Sequence, residues 1–326
     1  MFLRFLIVPV ALVIFAGLLL YAIIHNTRKL IKPHNRKGKW LNIVGLLIPI
    51  AIIATIAYGF TLGFAELRVV HADFTFKQLP KSFDGYKIVM FTDAHVGTFN
   101  SRPHLLQRDV DSINAQHADA IVFCGDIENI SPNELEPFRD LLTSLKANDG
   151  VFSVLGNHDY SLYMPDATEE EKSAMLQKTK DTERSFGWHL LLNENMVIRR
   201  GNDSIFIAGE ENDGNPPFPR RADAKKTMHG IHHDDFTIML QHDPTAWRRQ
   251  VLPQTTAQLT LSGHTHAGQI SILGYSPTQG LYPENRGAYR EGNRYLYVSS
   301  GLGGIVPFRL GMPAEIVVIT LHTTHI

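Results

Sequence analysis

The chain reads as an α/β protein, a two-sheet sandwich with helices on its faces, preceded by two membrane-crossing helices. Three observations predict this. Two long apolar runs without a charge occupy the amino-terminal part. From Lys87 to Leu155, short strand-like runs alternate with helical stretches in a β-α-β-α-β order, the mark of a parallel or mixed sheet. After Phe186 the pattern becomes strand upon strand, enough for a second sheet.

The apolar runs are Phe5 to Ile24 and Leu41 to Phe64. Each meets the length of about 20 residues that a helix needs to cross a bilayer. Two buried core helices would be the alternative, but neither run has a polar face. A cleaved signal peptide is the alternative for the first run alone. Its end, Tyr21-Ala22-Ile23-Ile24, lacks a small-x-small cleavage site, which favours an uncleaved anchor. Residues 1–66 are therefore expected to anchor the chain, and residues 67–326 to form the soluble domain. Arg28, Lys29, Lys32, Arg36, Lys37 and Lys39 stand between the runs, against Arg4 alone before them. The positive-inside rule keeps such a loop cytoplasmic and sends the soluble domain outward, as a multi-pass protein of the plasma (inner) membrane. Arg68, Lys77 and Lys81 reduce that asymmetry.

In the soluble part, Leu67 to Phe76 alternates well enough for a strand near a sheet edge, and Lys87 to Thr92 is the first core strand. Pro103 to Gln116 is predicted helical, Ile121 to Cys124 a strand, Glu134 to Ala147 a helix and Val151 to Leu155 a strand. Glu169 to Phe186 is a polar helix. Strands are then expected at Met196 to Arg199, Ser204 to Ala208, Phe236 to Leu240, Leu259 to Leu261, Tyr295 to Val298 and Ile316 to Leu321. Gly214-Asn-Pro-Pro-Phe-Pro219 is a loop.

Of the 31 Lys and Arg, seven precede Glu66 and no acid does, so the remainder carries 24 basic against 32 acidic residues. That acidic balance argues against a general nucleic-acid binder. Cys124 is the only cysteine, so no intrachain disulfide forms, and its place in a strand suits a small buried hydrophobe.

Chemistry-bearing residues follow the strands directly. Lys87-Ile-Val-Met-Phe-Thr-Asp93 leads into Ala94-His95, and Ile121-Val-Phe-Cys-Gly-Asp126 ends on a carboxylate. Val151 to Leu155 leads into Gly156-Asn157-His158-Asp159. His242 follows Phe236 to Gln241, and Gly263-His264-Thr265-His266 follows Leu259 to Ser262. Open sheets bind ligands beyond their strand ends, so these loops are expected to converge, with the carboxylate of the middle strand placed to bridge two cations. Asp93 and His95 lie two apart and would point the same way on an extended backbone. Asn157 and His158 would point apart, one as ligand and one free for catalysis. Imidazole with carboxylate and amide oxygen, and no thiolate, suits zinc, manganese or iron. Any one of these histidines alone would more often be a surface or core residue; their repeated placement after strands is what carries the reading.

These motifs, in this order, resemble those of the calcineurin-like metallophosphoesterases, over about Lys87 to Leu321. Gly-His-Thr-His-x-Gly-Gln, Gly301-Leu-Gly-Gly304 and Pro307-Phe308-Arg309 are similar to the membrane-anchored bacterial branch. The resemblance implies a four-layered α/β sandwich, two mixed sheets flanked by helices, in which residues 67–326 are the catalytic domain. It implies two divalent ions (Mn, Zn or Fe), the first on Asp93, His95 and His266, the second on Asn157, His242 and His264, with Asp126 bridging. It gives His158 the role of contacting the phosphate and protonating the leaving oxygen.

Two positions depart from the family. Many members carry an acid three residues after the bridging Asp, supporting the catalytic His; here it is Asn129, and an amide cannot stabilise an imidazolium in the same way. Glu128, next to it, should point elsewhere. Ala267 replaces a usual glycine. His229, His232 and His233 are read as solvated loop residues rather than a metal site, and Tyr160, Tyr163, Trp188 and Trp247 as packing or surface. Arg309 is weighed as a phosphate contact against a place in a mere turn.

The expected function is a membrane-anchored, metal-dependent phosphoesterase that uses water as nucleophile on a phosphomonoester, phosphodiester or pyrophosphate. Two apolar spans near the active site suggest a lipid-linked or envelope substrate. The alternative is a metal-binding membrane scaffold or receptor with little catalysis, for which Asn129 is the main support.

Overall fold

The computed structural model describes residues 2–31 and 36–324, with side chains for residues 14–31 and 38–324. The chain divides into two compact units, Met1–Leu62 and Gly63–Ile326.

In the first unit α1, Phe2–Ile31, packs on α2, Arg36–Tyr58, which continues as a π turn over Gly59–Gly63. Both helices outrun the apolar stretches. Arg28 and Lys29 stand in the last turn of α1 rather than in a loop, and Lys32 lies outside the described residues. Within Ile14–Ile31 none of the residues is buried, and within Gly38–Gly63 only 11% are. A pair of soluble core helices would be mostly covered, whereas exposed apolar surface suits contact with lipid. Pro49 has no N–H to donate to the carbonyl of Gly45, one turn earlier. Asn26 of α1 donates its Nδ2 to that same oxygen at 3.2 Å. One polar side chain thus satisfies a carbonyl that the proline frees in an otherwise apolar pair.

Among the described residues the second unit carries twelve strands in two sheets. They are β1 Leu67–Phe76, β2 Tyr86–Phe91, β3 Ala120–Phe123, β4 Val151–Ser153, β5 His189–Leu190 and β6 Glu194–Arg200. There follow β7 Asp203–Gly209, β8 Phe236–Leu240, β9 Leu259–Ser262, β10 Gly287–Glu291, β11 Arg294–Val298 and β12 Ala314–Thr323. The first sheet runs β1-β12-β2-β3-β4-β5 and the second β10-β11-β9-β8-β7-β6. Both are mixed: β12 is antiparallel to β2, while β2, β3 and β4 are parallel. In the second sheet β7, β8, β9 and β11 are parallel, and β6 and β10 run against them at the edges.

Side-chain alternation builds the layers. Ile88 and Met90 of β2, Val122 of β3 and Val317 and Ile319 of β12 face the second sheet. There they meet Ile205 and Ile207 of β7 and Phe236, Ile238 and Leu240 of β8. The alternate residues Val89, Phe91, Ile121 and Phe123 turn outward onto Leu106, Val110 and Ile113 of α3, Pro103–Asn114. On the far side Met239 packs on Trp247 and Val251. The fold is therefore a two-sheet α/β sandwich with flanking helical layers, as predicted, and β1 is an edge strand, as its alternation implied.

The expected helix over Glu134 to Ala147 does not form as one element. Pro132–Phe138 is 3-10 helix and only α4, Arg139–Thr143, is α-helical. Pro137 inside the run removes an N–H that a continuous helix would need. Two strands had no sequence signal: β5 is only two residues long, and Gly287–Glu291 of β10 is mostly polar. A polar helix, α5, spans Glu169–Ser185 behind a Thr168/Glu171 capping box.

Candidate metal centre

Parallel strands put their carboxyl ends on one side, and there the predicted residues meet. Asp93 and His95 follow β2, Asp126 follows β3, Asn157 and His158 follow β4, His242 follows β8, and His264 and His266 follow β9. Their local backbone is not extended. Asp93, His95, Asp126, His264 and His266 all have positive φ, between 44° and 70°. The expectation that Asp93 and His95 share a direction on an extended chain therefore fails at the level of backbone. Left-handed residues outside glycine cost energy and gather at functional sites, where they fold a side chain back over a strand end. Hydrogen bonds hold the turns: Asp93 N–H to Gly125 O at 2.8 Å, His95 N–H to Asp126 O at 3.1 Å and Val96 N–H to Ile127 O at 2.9 Å. Gly125 adopts φ +92°, and a Cβ there would collide with Gly156 and crowd the His242 ring.

Two groups of donors lie within 4.8 Å of one another: Asp93, His95, Asp126 and His266, and Asp126, His242 and His264. Asp126 belongs to both. Asn157 joins the second group, with its Oδ1 2.7 Å from His264 Nδ1. Its amide is oriented by Tyr163, whose hydroxyl accepts from Asn157 Nδ2 at 2.9 Å. Tyr282 OH lies 3.1 Å from His264 Nε2, and Asp243 Oδ2 lies 3.4 Å from it.

The donors suit cations. His95 Nδ1 lies 3.1 Å from Glu128 O and His242 Nδ1 2.7 Å from Cys124 O. A carbonyl only accepts, so each Nδ1 carries a proton, and in the neutral ring each Nε2 turns a lone pair toward the site. Those Nε2 atoms are buried, without a hydrogen-bond partner, 3.7 and 3.2 Å from Asp126 Oδ2. Lone pairs facing a carboxylate repel it unless positive charge lies between. Burial pushes His95 down to about 3 and His264 to about 4, and holds His266 well below its ordinary value. Each thus offers a neutral nitrogen. Burial would raise Asp126, but His242, His158 and His95 outweigh it and hold the carboxyl well below its usual range. Burial would likewise depress His242, yet the Asp126 carboxylate lifts it to about 10.

Asp159 was assigned no role from the sequence, and it proves to organise the loops. Its carboxylate accepts from four backbone N–H groups, those of Asp126, Ile127, Glu128 and Gly156, at 2.7–3.3 Å. The concern about Asn129 also changes. His158 Nδ1 is held by the main-chain oxygen of Asn129 at 2.6 Å, while the Asn129 side chain donates to Thr98 Oγ1 at 2.7 Å. The supporting group is backbone, so an amide at 129 takes nothing from His158. The scaffold alternative loses its main support. Glu128 does point elsewhere, to Thr179 Oγ1 at 3.0 Å.

Arg309 is fully buried and donates to the carbonyls of Ser300, Gly301, Gly303, Met312 and Pro313. It knots the carboxy-terminal loop together and is no phosphate contact. Tyr160, Trp188 and Trp247 are buried, as read. Tyr163, read as packing or surface, is 40% exposed and stacks on His158 at 4.3 Å between ring centroids. His229, His232 and His233 stay apart from the centre; the side chain of His233 is 89% exposed. Tyr282 and Asp243 had no sequence signal, since neither falls in a motif or a strand.

Sandwich and site together define a metal-dependent phosphoric ester hydrolase. The chain belongs to the calcineurin-like phosphoesterase family, whose sequence model matches residues 86–268. It is 30% identical over 306 residues to the uncharacterized metallophosphoesterase YkuE of Bacillus subtilis, covering 90% of this chain and all of that one. It is 28% identical over 295 residues to a transmembrane protein with metallophosphoesterase domain of Danio rerio, covering 87% of this chain but only 63% of that one. Among solved structures, a dimetal phosphatase from Danio rerio aligns at 12% identity and a TM-score of 0.42, over 69% of this chain and 90% of that one.

Proposed function

We propose a membrane-anchored phosphoesterase that works with two divalent cations. Asp93, His95 and His266 would hold one, Asn157, His242 and His264 the other, and Asp126 would be shared. The observation that carries this reading is the pair of donor groups with Asp126 in common. When bound, the cations supply charge for the phosphate oxygens and acidify a water for in-line attack.

The chain's own residues do the rest. Asp126 contributes a charge that neutral imidazoles lack. Glu128 O and Cys124 O fix the tautomers of His95 and His242, so no proton has to move before a cation binds His95. Asn129 O holds the His158 ring by Nδ1 and leaves Nε2 to give a proton to the departing oxygen of a phosphomonoester, phosphodiester or pyrophosphate. Residues 1–66 act as the anchor and residues 67–326 as the catalytic domain, which we place on the outer face of the membrane on the strength of the basic residues between the two apolar runs.

The test is Asp126→Asn in the full-length protein. It is expected to abolish hydrolysis of aryl phosphate mono- and diesters and to lower bound Mn, Zn or Fe, with an unchanged circular dichroism spectrum. Metal content and rate that both survive the change would refute the two-cation assignment.

A further inference from the structure

From residue 63 on, few large apolar side chains among the described residues are exposed, and they are not scattered. All but Val197 lie on the loops that bear or border the metal centre. Tyr163 stacks on His158, with Leu162 beside it, and Ile130 follows Asn129, whose oxygen holds the His158 ring. Ile305 and Val306 line the cavity of about 350 Å³ over Asp126, His158, His264 and His266. Leu281 precedes Tyr282, the neighbour of His264. A tight turn projects the rest. Ile272 and Tyr275 exchange backbone hydrogen bonds at 2.9 and 3.0 Å around Leu273 and Gly274. This turn is tied to the His266 loop by Ser276 Oγ, which donates to Ala267 O.

Leu273 is the odd residue. It has φ 53° at a turn position where Asn, Asp or Gly is the ordinary choice, and it is 95% exposed. A leucine gains nothing there from its own protein. Exposed apolar groups collected at one place mark a surface that meets another apolar body.

We propose that this rim receives the acyl or prenyl chains of a membrane lipid whose phosphate enters the metal centre, at the surface of the bilayer. The inference rests on the phosphoesterase reading and names its substrate class. A floor built for phosphate inside an apolar rim matches an amphiphile, head inward and tail against the rim. The same chain supplies the tether. Only Phe64, Ala65 and Glu66 separate Gly63, where the π turn ends, from the first residue of β1. That link spans about 10 Å at full extension.

The experiment uses the full-length chain in nanodiscs of phosphatidylcholine and phosphatidylglycerol. Cys124 is buried, so a polarity-sensitive maleimide dye on Leu273→Cys reports position 273 alone. Lipids with a nitroxide on the acyl chain are expected to quench it strongly and aqueous iodide weakly, with the reverse for dye on His233→Cys. Leu273 dye as open to iodide as the control, and blind to the lipid nitroxide, would overturn the rim. The second arm compares ethyl and hexadecyl 4-nitrophenyl phosphate. Wild type should prefer the hexadecyl ester at least 10-fold in kcat/KM. The double variant Leu273→Asp, Tyr275→Asp should lose that preference and keep its rate on the ethyl ester within twofold. Hydrolysis of both esters without preference rejects the rim and leaves the phosphoesterase standing. If neither ester nor 4-nitrophenyl phosphate is cleaved with Mn, Zn or Fe present, the phosphoesterase reading fails instead, and the lipid-substrate inference that rests on it falls too; if 4-nitrophenyl phosphate alone is cleaved, that reading stands and the quenching arm decides the rim.

Discussion

His158 donates through Nδ1 to a main-chain oxygen, so chemistry at the side chain of residue 129 has little purchase on it. His158→Ala should keep its metal and slow an alkyl phosphodiester by about 10²–10⁴-fold, and a nitrophenyl ester less, because nitrophenolate leaves without a proton. Equal slowing of both esters would mean that His158 acts on the phosphate rather than as an acid. Asn129→Asp would be expected, from the sequence alone, to strengthen that acid; the structure predicts instead a pH–rate profile close to wild type, since the new carboxylate faces Thr98. A profile displaced by a full pH unit would show that the side chain does reach His158. His95 and His264 set a second expectation. Their values of about 3 and about 4 in the fold lie below the ordinary 6.5 of an unfolded chain. The unfolded state therefore takes up protons first, so chelator-treated protein should lose stability as pH falls from about 6.5 toward 4, and gain none from these two residues above 6.5. Thermal midpoints of the metal-free protein between pH 8 and 4 check the sign. At this scale the candidate site was largely legible: all seven proposed donors and His158 follow apolar runs. Asp243 and Tyr282 were not, because what brings them near His264 is tertiary.

The elements that carry the site are loops, and Asp159 is what makes them rigid. One carboxylate accepting four N–H groups joins the turn after β3 to the turn after β4. Asp159→Asn keeps the shape but replaces one acceptor by an NH₂ that faces N–H donors. The expected cost is about 1–3 kcal/mol of stability for groups left unsatisfied, together with weaker metal retention through Asp126 and Asn157. Denaturant titration and metal content on the same preparation measure both, and a variant as stable and as metal-rich as wild type would refute the anchoring role. Strands were readable wherever both faces are buried, as in Phe236–Leu240, since packing and period then agree. Reading failed where local signals are weak or conflict. The Pro137 region keeps a helical pattern without a full set of N–H donors, and β5 is too short to show any period. Arg309 looked available from its Gly-rich surroundings, yet five carbonyls in that loop need a donor, and it supplies them.

Across the whole catalytic unit, each proposed cation would take donors from both sheets. Asp93 and His95 come from the first and His266 from the second; Asn157 comes from the first, and His242 and His264 from the second. Bound metal should therefore fasten one sheet to the other. A site loaded at 100 times its Kd adds about 2.7 kcal/mol, which for a domain of this size is roughly 5–10 °C in Tm. Calorimetry before and after EDTA, with re-addition of Mn or Zn, tests this; an unmoved midpoint in protein that demonstrably lost its metal would count against it. One topological detail reaches further. β12, the last strand of the chain, lies between β1 and β2 in the middle of the first sheet. Until it arrives, β1 has no neighbour in its sheet and β2 has one open flank. A nascent chain therefore cannot close the sandwich as it emerges, and must remain open until Ala314–Thr323 has been made. On the outward placement proposed above, this delay would be useful, because a translocation channel passes threads and not folded bodies. Assembly of the active centre would then be deferred to the side of the membrane on which the whole chain has finally arrived.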